Sequence, residues 1–306
     1  MAFRKAERKQ VKLKIGISAP SGAGKTYSAL LIAHGICGNW DDIAVIDTEN
    51  GSAELYSDLG SYSVESITPP FSPEKYINAI KEAEMAGFKV LIIDSLSHAW
   101  TGEGGLLDMQ DKAVKASKSG NSFTAWREVT PAHNKLVDTI LQSDLDIIVT
   151  TRAKAEYVVT DDNGKKGYKK IGLAPVFRDG LEYELTTFFD MTQEHIATAS
   201  KDRTGLFDKG FVPSEETGKA LNDWRNQGTA LVCEVCKKPM PFSLYKKIKE
   251  AYGFACCCKE CKEKYLAMQS EKAEKPEEKP QEKPQEKPKK AAKKAEEKAE
   301  EKAEQK

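Results

Sequence analysis

The stretch Ala19-Pro-Ser-Gly-Ala-Gly-Lys-Thr26 constrains this chain more than any other. An apolar run with strand character, Lys14-Ile-Gly-Ile-Ser18, leads into it, and a helix-like run, Tyr27-Ser-Ala-Leu-Leu-Ile-Ala33, leads out. Strand, glycine-bearing loop and helix, in that order, are the setting of a phosphate-binding P-loop. Gly22 and Gly24 let the backbone curl so that N–H groups point inward at phosphate oxygens. The helix that starts here adds its positive end. Ser21, Gly22, Ala23 and Gly24 then form a cradle, Lys25 reaches the β- and γ-phosphates of a nucleotide, and the Thr26 hydroxyl holds Mg²⁺. Ala19 stands where this motif usually opens with glycine. A small residue still makes that turn.

At 306 residues the chain can bury one large α/β core and carry an accessory module. Over residues 1–228, β-rich apolar runs alternate with helix-period segments, the pattern of a mostly parallel sheet flanked by helices. Strands are expected at Val11–Ser18, Ile43–Asp47, Val90–Asp94, Asp146–Thr151, Leu185–Met191 and Ile196–Ser200, with a hairpin near Glu156–Ile171. Helices are expected at Lys25–Cys37, Ala53–Leu59, Pro73–Ala86 and Thr124–Gln142. Residues 229–268 read as a small cysteine-rich module. Residues 269–306 read as a Lys/Glu/Pro/Ala tail that has almost nothing to bury and is expected to be disordered.

Lys+Arg and Asp+Glu both number 47, so nucleic-acid contact must come from local patches rather than a global basic field. The basic lead-in Arg4–Lys14 is one such patch, free to contact DNA or a neighbouring subunit or simply to be solvated. No run of about 18 apolar residues is present, so no membrane span is expected. The charged N-terminus lacks the apolar core of a secretory signal, which implies a cytoplasmic protein.

Val90-Leu-Ile-Ile-Asp94 is a buried strand with a carboxylate at its C-terminal end, where open α/β sheets bind ligands. That is a Walker B pattern, in which Asp94 orders the Mg²⁺ shell with Thr26. Ile43-Ala-Val-Ile-Asp-Thr-Glu49 ends in two carboxylates at the same edge. Glu49 is a candidate base to orient the attacking water, and capping of the following helix is the other use such a carboxylate finds.

Cys233-Glu-Val-Cys236 and Cys258-Lys-Glu-Cys261 are two knuckles separated by 21 residues. Two tight turns with two thiolates each complete a tetrahedral shell, so Cys233, Cys236, Cys258 and Cys261 are expected to hold structural Zn²⁺ in a zinc-ribbon-like module. Cys256 and Cys257 leave the choice of ligands at the second knuckle open.

Together, the Ser-Gly-Ala-Gly-Lys-Thr loop, the Asp-x-Glu strand, the helix holding Tyr56 and the strand ending in Asp94-Ser95 resemble RecA-type recombinase ATPases from about Lys12 to Gly210. That resemblance implies a RecA-like core in which Glu49 activates water and Tyr56 packs near the adenine. It places the γ-phosphate sensor on Ile147-Ile-Val-Thr-Thr-Arg152, with Thr151 as the candidate and Thr150, Arg152 or Lys154 sharing the role. Ser200-Lys-Asp-Arg-Thr-Gly205 is similar to a RadA-type motif whose basic residues reach ATP across a subunit interface. Lys201 and Arg203 are therefore candidates to act in trans within a homo-oligomer, as rings or short assemblies.

The family's two DNA loops fall on a first region with Lys112, Lys115 and Lys118 and on a hairpin with Lys165, Lys166, Tyr168, Lys169 and Lys170. Lysines there attract a phosphate backbone and Tyr168 can stack on a base. The resemblance extends to small bacteriophage-encoded ATPases of recombination and single-strand annealing. It implies a DNA-stimulated ATPase that binds single-stranded DNA in recombination, annealing or repair, in the host cytoplasm and beside a single-strand-binding or replication protein. The competing reading is a nucleotide-switched adaptor, such as a helicase loader or packaging accessory, acting on a protein partner.

Overall fold

The computed structural model describes residues 8–117, 120–162 and 165–273. In chain order the elements are β1 (Lys14–Ala19), α1 (Lys25–Cys37), β2 (Ile43–Asp47), β3 (Ser63–Ser66), α2 (Pro73–Ala86), β4 (Val90–Asp94), α3 (Ser97–Thr101), α4 (Leu106–Ala116) and α5 (Ser122–Gln142). They continue with β5 (Asp146–Asp162), β6 (Lys165–Pro175), α6 (Leu181–Glu184), β7 (Thr187–Met191), β8 (Ala197–Asp202), α7 (Glu215–Asn226), α8 (Phe242–Tyr252) and α9 (Lys259–Ala273).

All six residues of β1 are buried, which a strand covered on both faces requires. It lies inside a sheet ordered β3-β2-β4-β5-β1-β7-β8, with β6 paired to β5. β3 through β7 along this order run parallel, while β8 on β7 and β6 on β5 run antiparallel. Parallel neighbours need crossover helices, and these cover both faces. On one face Ile15 and Ile17 pack with Leu30 and Ala33 of α1 and Leu221 of α7. On the other, Ile93 and Val149 pack with Tyr76 and Ile80 of α2 and Leu136 and Ile140 of α5. α1 and α7 meet at Gly35 and Gly218. A Cβ on Gly35 would lie 2.0 Å from the Glu215 carbonyl oxygen, so only glycine permits this approach.

Several elements differ from the sequence expectation. Ala53–Leu59 is a 3₁₀ segment kinked at Tyr56 (φ −111°, ψ 20°), not an α-helix. The segment after β4, expected as an open lysine-rich loop, is largely helix α4, because Leu106 and Gln110 fall on one buried face at helical spacing. α7 was not expected, although a capping box of Ser214 and Thr217 marks its start.

The basic lead-in is also more structural than its composition suggests. Lys14 is buried, and its ammonium donates to the Ser143 and Leu145 carbonyls at 3.0 and 2.6 Å. The Arg8 guanidinium lies 4.6 Å over the Trp224 ring and donates to the Trp224 carbonyl at 2.7 Å.

Backbone contacts divide the chain into Met1–Lys262 and Glu263–Lys306. The cysteine-rich segment through Lys262 thus belongs to the same unit as the sheet. Within the second unit, Glu263–Ala273 is helical and the tail from residue 274 lies outside the described residues.

Candidate functional site

β1, β2 and β4 end at one edge of the sheet, β5 passes it at Thr150–Arg152, and each delivers one part of a site there. The turn after β1 holds Gly22 and Gly24 at φ 79° and 83°, a left-handed backbone that favours glycine. No side chain caps the start of α1, so its first-turn N–H groups are available to an anion. The β7–β8 turn braces this loop from behind. The Gln193 amide donates to the Ser21 carbonyl at 3.1 Å, and His195 Nδ1 lies 3.0 Å from the Ala23 carbonyl oxygen. No local motif marks either residue, because the turn reaches the loop only through the pairing of β1 with β7. Lys25 Nζ donates to the Ala19 and Pro20 carbonyls at 3.2 and 3.0 Å. Burial lowers its pKa from the usual lysine value, against the pull of Asp94 and Glu49.

Asp94 is the centre of a buried hydroxyl network. Its Oδ2 accepts from Thr26 Oγ1 at 2.5 Å and its Oδ1 from Thr150 Oγ1 at 2.5 Å. Burial pushes its pKa up, and the two hydroxyls oppose that shift. Thr151, expected as the sensor, does not reach this network. Its hydroxyl is buried and makes no hydrogen bond among the described residues. The reason is the pleat: β4 and β5 pair Ile93 with Val149, so the next row sets Thr150 beside Asp94 and turns Thr151 to the opposite face.

The two carboxylates after β2 divide the roles left open by sequence. Asp47 Oδ1 accepts from Glu49 N at 2.6 Å and its Oδ2 from Ala53 N at 3.0 Å, so Asp47 organises the turn. Glu49 instead enters the cleft. Its Oε1 accepts from Arg152 Nε at 3.0 Å and from Ser95 Oγ at 2.8 Å, and its Oε2 from Arg152 Nη2 at 2.5 Å. Burial would raise the Glu49 pKa, but Arg152 and Ser95 hold it below the ordinary carboxylate value. His98 Nδ1 lies 4.0 Å from Glu49 and 2.7 Å from Thr48 Oγ1, which in turn accepts from Ser95 N at 2.9 Å. Burial lowers the His98 pKa.

Lys25, Thr26, Glu49, Asp94 and Arg152 line a cleft of about 780 Å³ that also includes Ser21, Gly22 and Tyr56. The Tyr56 ring lies 5.6 Å from that of Tyr27, and both face the cleft. A nucleoside triphosphate with Mg²⁺ fits this donor set: uncapped N–H groups and Lys25 for phosphates, and the Thr26–Asp94 oxygen pair for the cation. Lys201 and Arg203 do not line the cleft of their own chain. Both donate at 2.8 Å to the Tyr183 carbonyl.

The second cluster is Cys233, Cys236, Cys257 and Cys261, whose sulfurs all lie within 4.8 Å of one another. Cys257 takes the place expected for Cys258, which is exposed. Cys257 lies ahead of α9 and Cys261 in its first turn, and the entry of the chain into the helix brings the Cys257 sulfur to 3.7 Å from that of Cys261. Sulfur separations of 3.4 Å (Cys236–Cys257) and 3.7 Å (Cys257–Cys261) are near the ~3.8 Å set by a tetrahedron with Zn–S of about 2.3 Å. Burial raises the Cys233 pKa, yet N–H groups of Cys236, Val235 and Cys257 bring it down to about 6. Four sulfurs at these separations suit a thiophilic divalent metal such as Zn²⁺. Helix α8 joins the knuckles, and an isolated Val232–Pro239 bridge is the strand-like pairing beside them.

Of the lysines expected at DNA, Lys112 and Lys115 lie exposed on α4, with Lys112 paired to Asp108 at 2.9 Å, and Lys118 lies outside the described residues. The backbones of Lys165, Lys166, Tyr168, Lys169 and Lys170 lie in β6, and their side chains are outside what is described. β5 and β6 form a hairpin paired from Ala153–Pro175 out to Asp162–Lys165. Among the described residues, no helix is long and apolar enough to cross a membrane.

A family model described as an AAA domain matches residues 11–220. Among curated proteins no match is found.

Proposed function

We infer the function from one premise: the chain belongs to the AAA domain family. Its cleft binds ATP, and on our reading it hydrolyses ATP in response to single-stranded DNA. The carrying observation is the position of Arg152. This residue grips Glu49 bidentately and is two residues upstream of Lys154 on the strand that continues into the β5–β6 hairpin. DNA held by the hairpin lysines Lys165, Lys166, Lys169 and Lys170, with Tyr168 against a base, would pull on the group that restrains the catalytic carboxylate.

The chemistry follows from the residues. Lys25 and the loop N–H groups bind and neutralise the phosphates. Thr26 and Asp94 hold Mg²⁺, which when bound screens charge on the β- and γ-phosphates. Glu49, released from Arg152, accepts a proton from water as its oxygen attacks the γ-phosphorus, and the bond to the ADP oxygen breaks to leave phosphate. Thr150 keeps Asp94 oriented.

Lys201 and Arg203 act on a neighbouring copy in this scheme, since neither lines its own cleft. The reading is of a RecA-like strand-handling protein of recombination, annealing or repair, as in bacteriophages, working as a homo-oligomer alongside a single-strand-binding or replication protein. The cysteine cluster carries structural Zn²⁺ in the module of residues 229–268, whose part through Lys262 shares one unit with the sheet.

ATP turnover measured with and without single-stranded DNA at two salt concentrations tests this reading. DNA should raise turnover. Four lysine–phosphate contacts predict about a 50-fold loss of DNA affinity between 50 and 200 mM salt, at a slope of about −0.7 per contact. Replacing all four hairpin lysines by alanine should remove most of that salt dependence. Turnover indifferent to DNA, with no salt-sensitive binding, would refute the DNA reading and favour a nucleotide-switched adaptor.

A further inference from the structure

The structure holds a second cleft, of about 1000 Å³, between α3, α5 and the segment after β6. We propose that it is a stacking site for unpaired bases of single-stranded DNA, an inference that rests on the function proposed above.

Its wall is aromatic, with Trp100 and Trp126 stacked on one another and Phe177 tilted at 47° to Trp100. The Trp100 and Trp126 rings lie 5.6 Å apart at 16°, and Phe177 lies 5.8 Å from Trp100. Phe123, in the first turn of α5, stands at the lip 81% exposed. A large apolar ring left in water beside other aromatic faces is surface that a flat apolar ligand would cover.

The charge is as selective as the shape. Arg127, Lys154 and Arg178 line the cleft against one carboxylate, Asp179. The Arg178 guanidinium lies 5.4 Å over the Trp126 ring and donates to Thr130 Oγ1 at 3.3 Å, so it is held in place. An apolar protein helix seated here would desolvate three cations with little to offset them. A nucleic-acid strand supplies both partners, π-faces for the rings and phosphates for the cations. A duplex keeps its base faces stacked inside, so the occupant must be unpaired.

The cleft also touches the machinery of the first site. Trp100 shares the short helix α3 with His98, which lies 4.0 Å from Glu49. Lys154 and Arg152 stand two apart on β5, hence on the same side. Val176, next to Phe177, donates its N–H to the Arg152 carbonyl at 2.7 Å. A seated base therefore bears on two elements that position Glu49, without touching ATP.

The test compares an oligothymidylate with an oligonucleotide of equal length whose central sites lack bases, both titrated into the full chain. The wild type should prefer the thymidylate. Phe123→Ala, at an exposed ring that folding does not need, and Trp126→Ala should each weaken thymidylate binding by about 5- to 150-fold, the range for losing one stacked base. Binding of the abasic strand and turnover without DNA should stay unchanged, and Trp126→Phe should restore most of the loss. Equal, salt-sensitive binding of both strands by the wild type would overturn the stacking site and leave the DNA-stimulated ATPase standing. Binding of neither strand would overturn both.

Discussion

Replacing Thr150 and Thr151 separately by valine puts two adjacent, isosteric substitutions to opposite use. Thr150 donates to the buried Asp94 carboxylate at 2.5 Å, and a hydrogen bond to a charged group contributes about 1.5–3 kcal/mol. Its loss also leaves Asp94 with one fewer donor while still buried. At roughly 2–4 °C per kcal/mol for a unit of this size, Thr150→Val should lower the melting temperature by about 3–12 °C. Thr151 has a buried hydroxyl without a partner among the described residues, so valine there relieves desolvation and should be neutral or stabilising by about 1 kcal/mol.

The pH dependence has a definite sign. Burial raises the folded-state pKa of Asp94 above its unfolded value, so stability is fullest below the unfolded pKa and falls as pH rises through the folded one. Thr150→Val raises the folded value further, so its deficit should grow toward neutral pH and shrink in acid. Thermal unfolding at several pH values, with nucleotide affinity measured in parallel, is the assay. A Thr151→Val deficit larger than that of Thr150→Val would refute the assignment of the sheet register to function.

Other substitutions probe the remaining groups. Glu49→Gln should keep ATP affinity within a few-fold and cut turnover by about 10²–10⁴, whereas Lys25→Ala should lose nucleotide affinity itself, as read by a fluorescent nucleotide titration. Cys257→Ser should abolish stoichiometric zinc in the purified chain and Cys258→Ser should retain it; the reverse result would restore the ligand set expected from knuckle spacing. Burial lowers the Lys14 pKa to about 7, so below pH 7 the protonated amine carries the full penalty, which is relieved as pH rises toward the unfolded value. The stability of the wild type should therefore rise relative to Lys14→Met between about pH 7 and pH 10. Parallel profiles in urea unfolding would show that its two carbonyl contacts offset the burial.

What the sequence determined by itself is local chemistry at strand ends. The P-loop, the Asp94 strand and the Asp-x-Glu turn are legible because each needs particular residues within a few positions of one another, and a parallel sheet brings all such ends to one edge. All strands but β3, and helices α1, α2 and α5, followed from sequence pattern. α4 escaped because its lysines masked a short buried stripe, and α7 because a polar helix shows little but its cap.

The tertiary structure decided everything that depends on which face a side chain takes or which distant segment meets it. A one-residue step along β5 separates Thr150, which holds Asp94, from Thr151, which does not. The entry of the chain into α9 brings Cys257, not Cys258, into the cluster. Asp47 and Glu49 are the same kind of group two residues apart, and only the closure of the turn onto Ala53 makes one a cap and frees the other for Arg152. His98, Gln193, His195 and the Trp100–Trp126 pair left no local pattern, because each takes its meaning from a contact made across the sheet edge or between helices. Periodicity and motif spacing act over a few residues, whereas register and packing act across the whole chain.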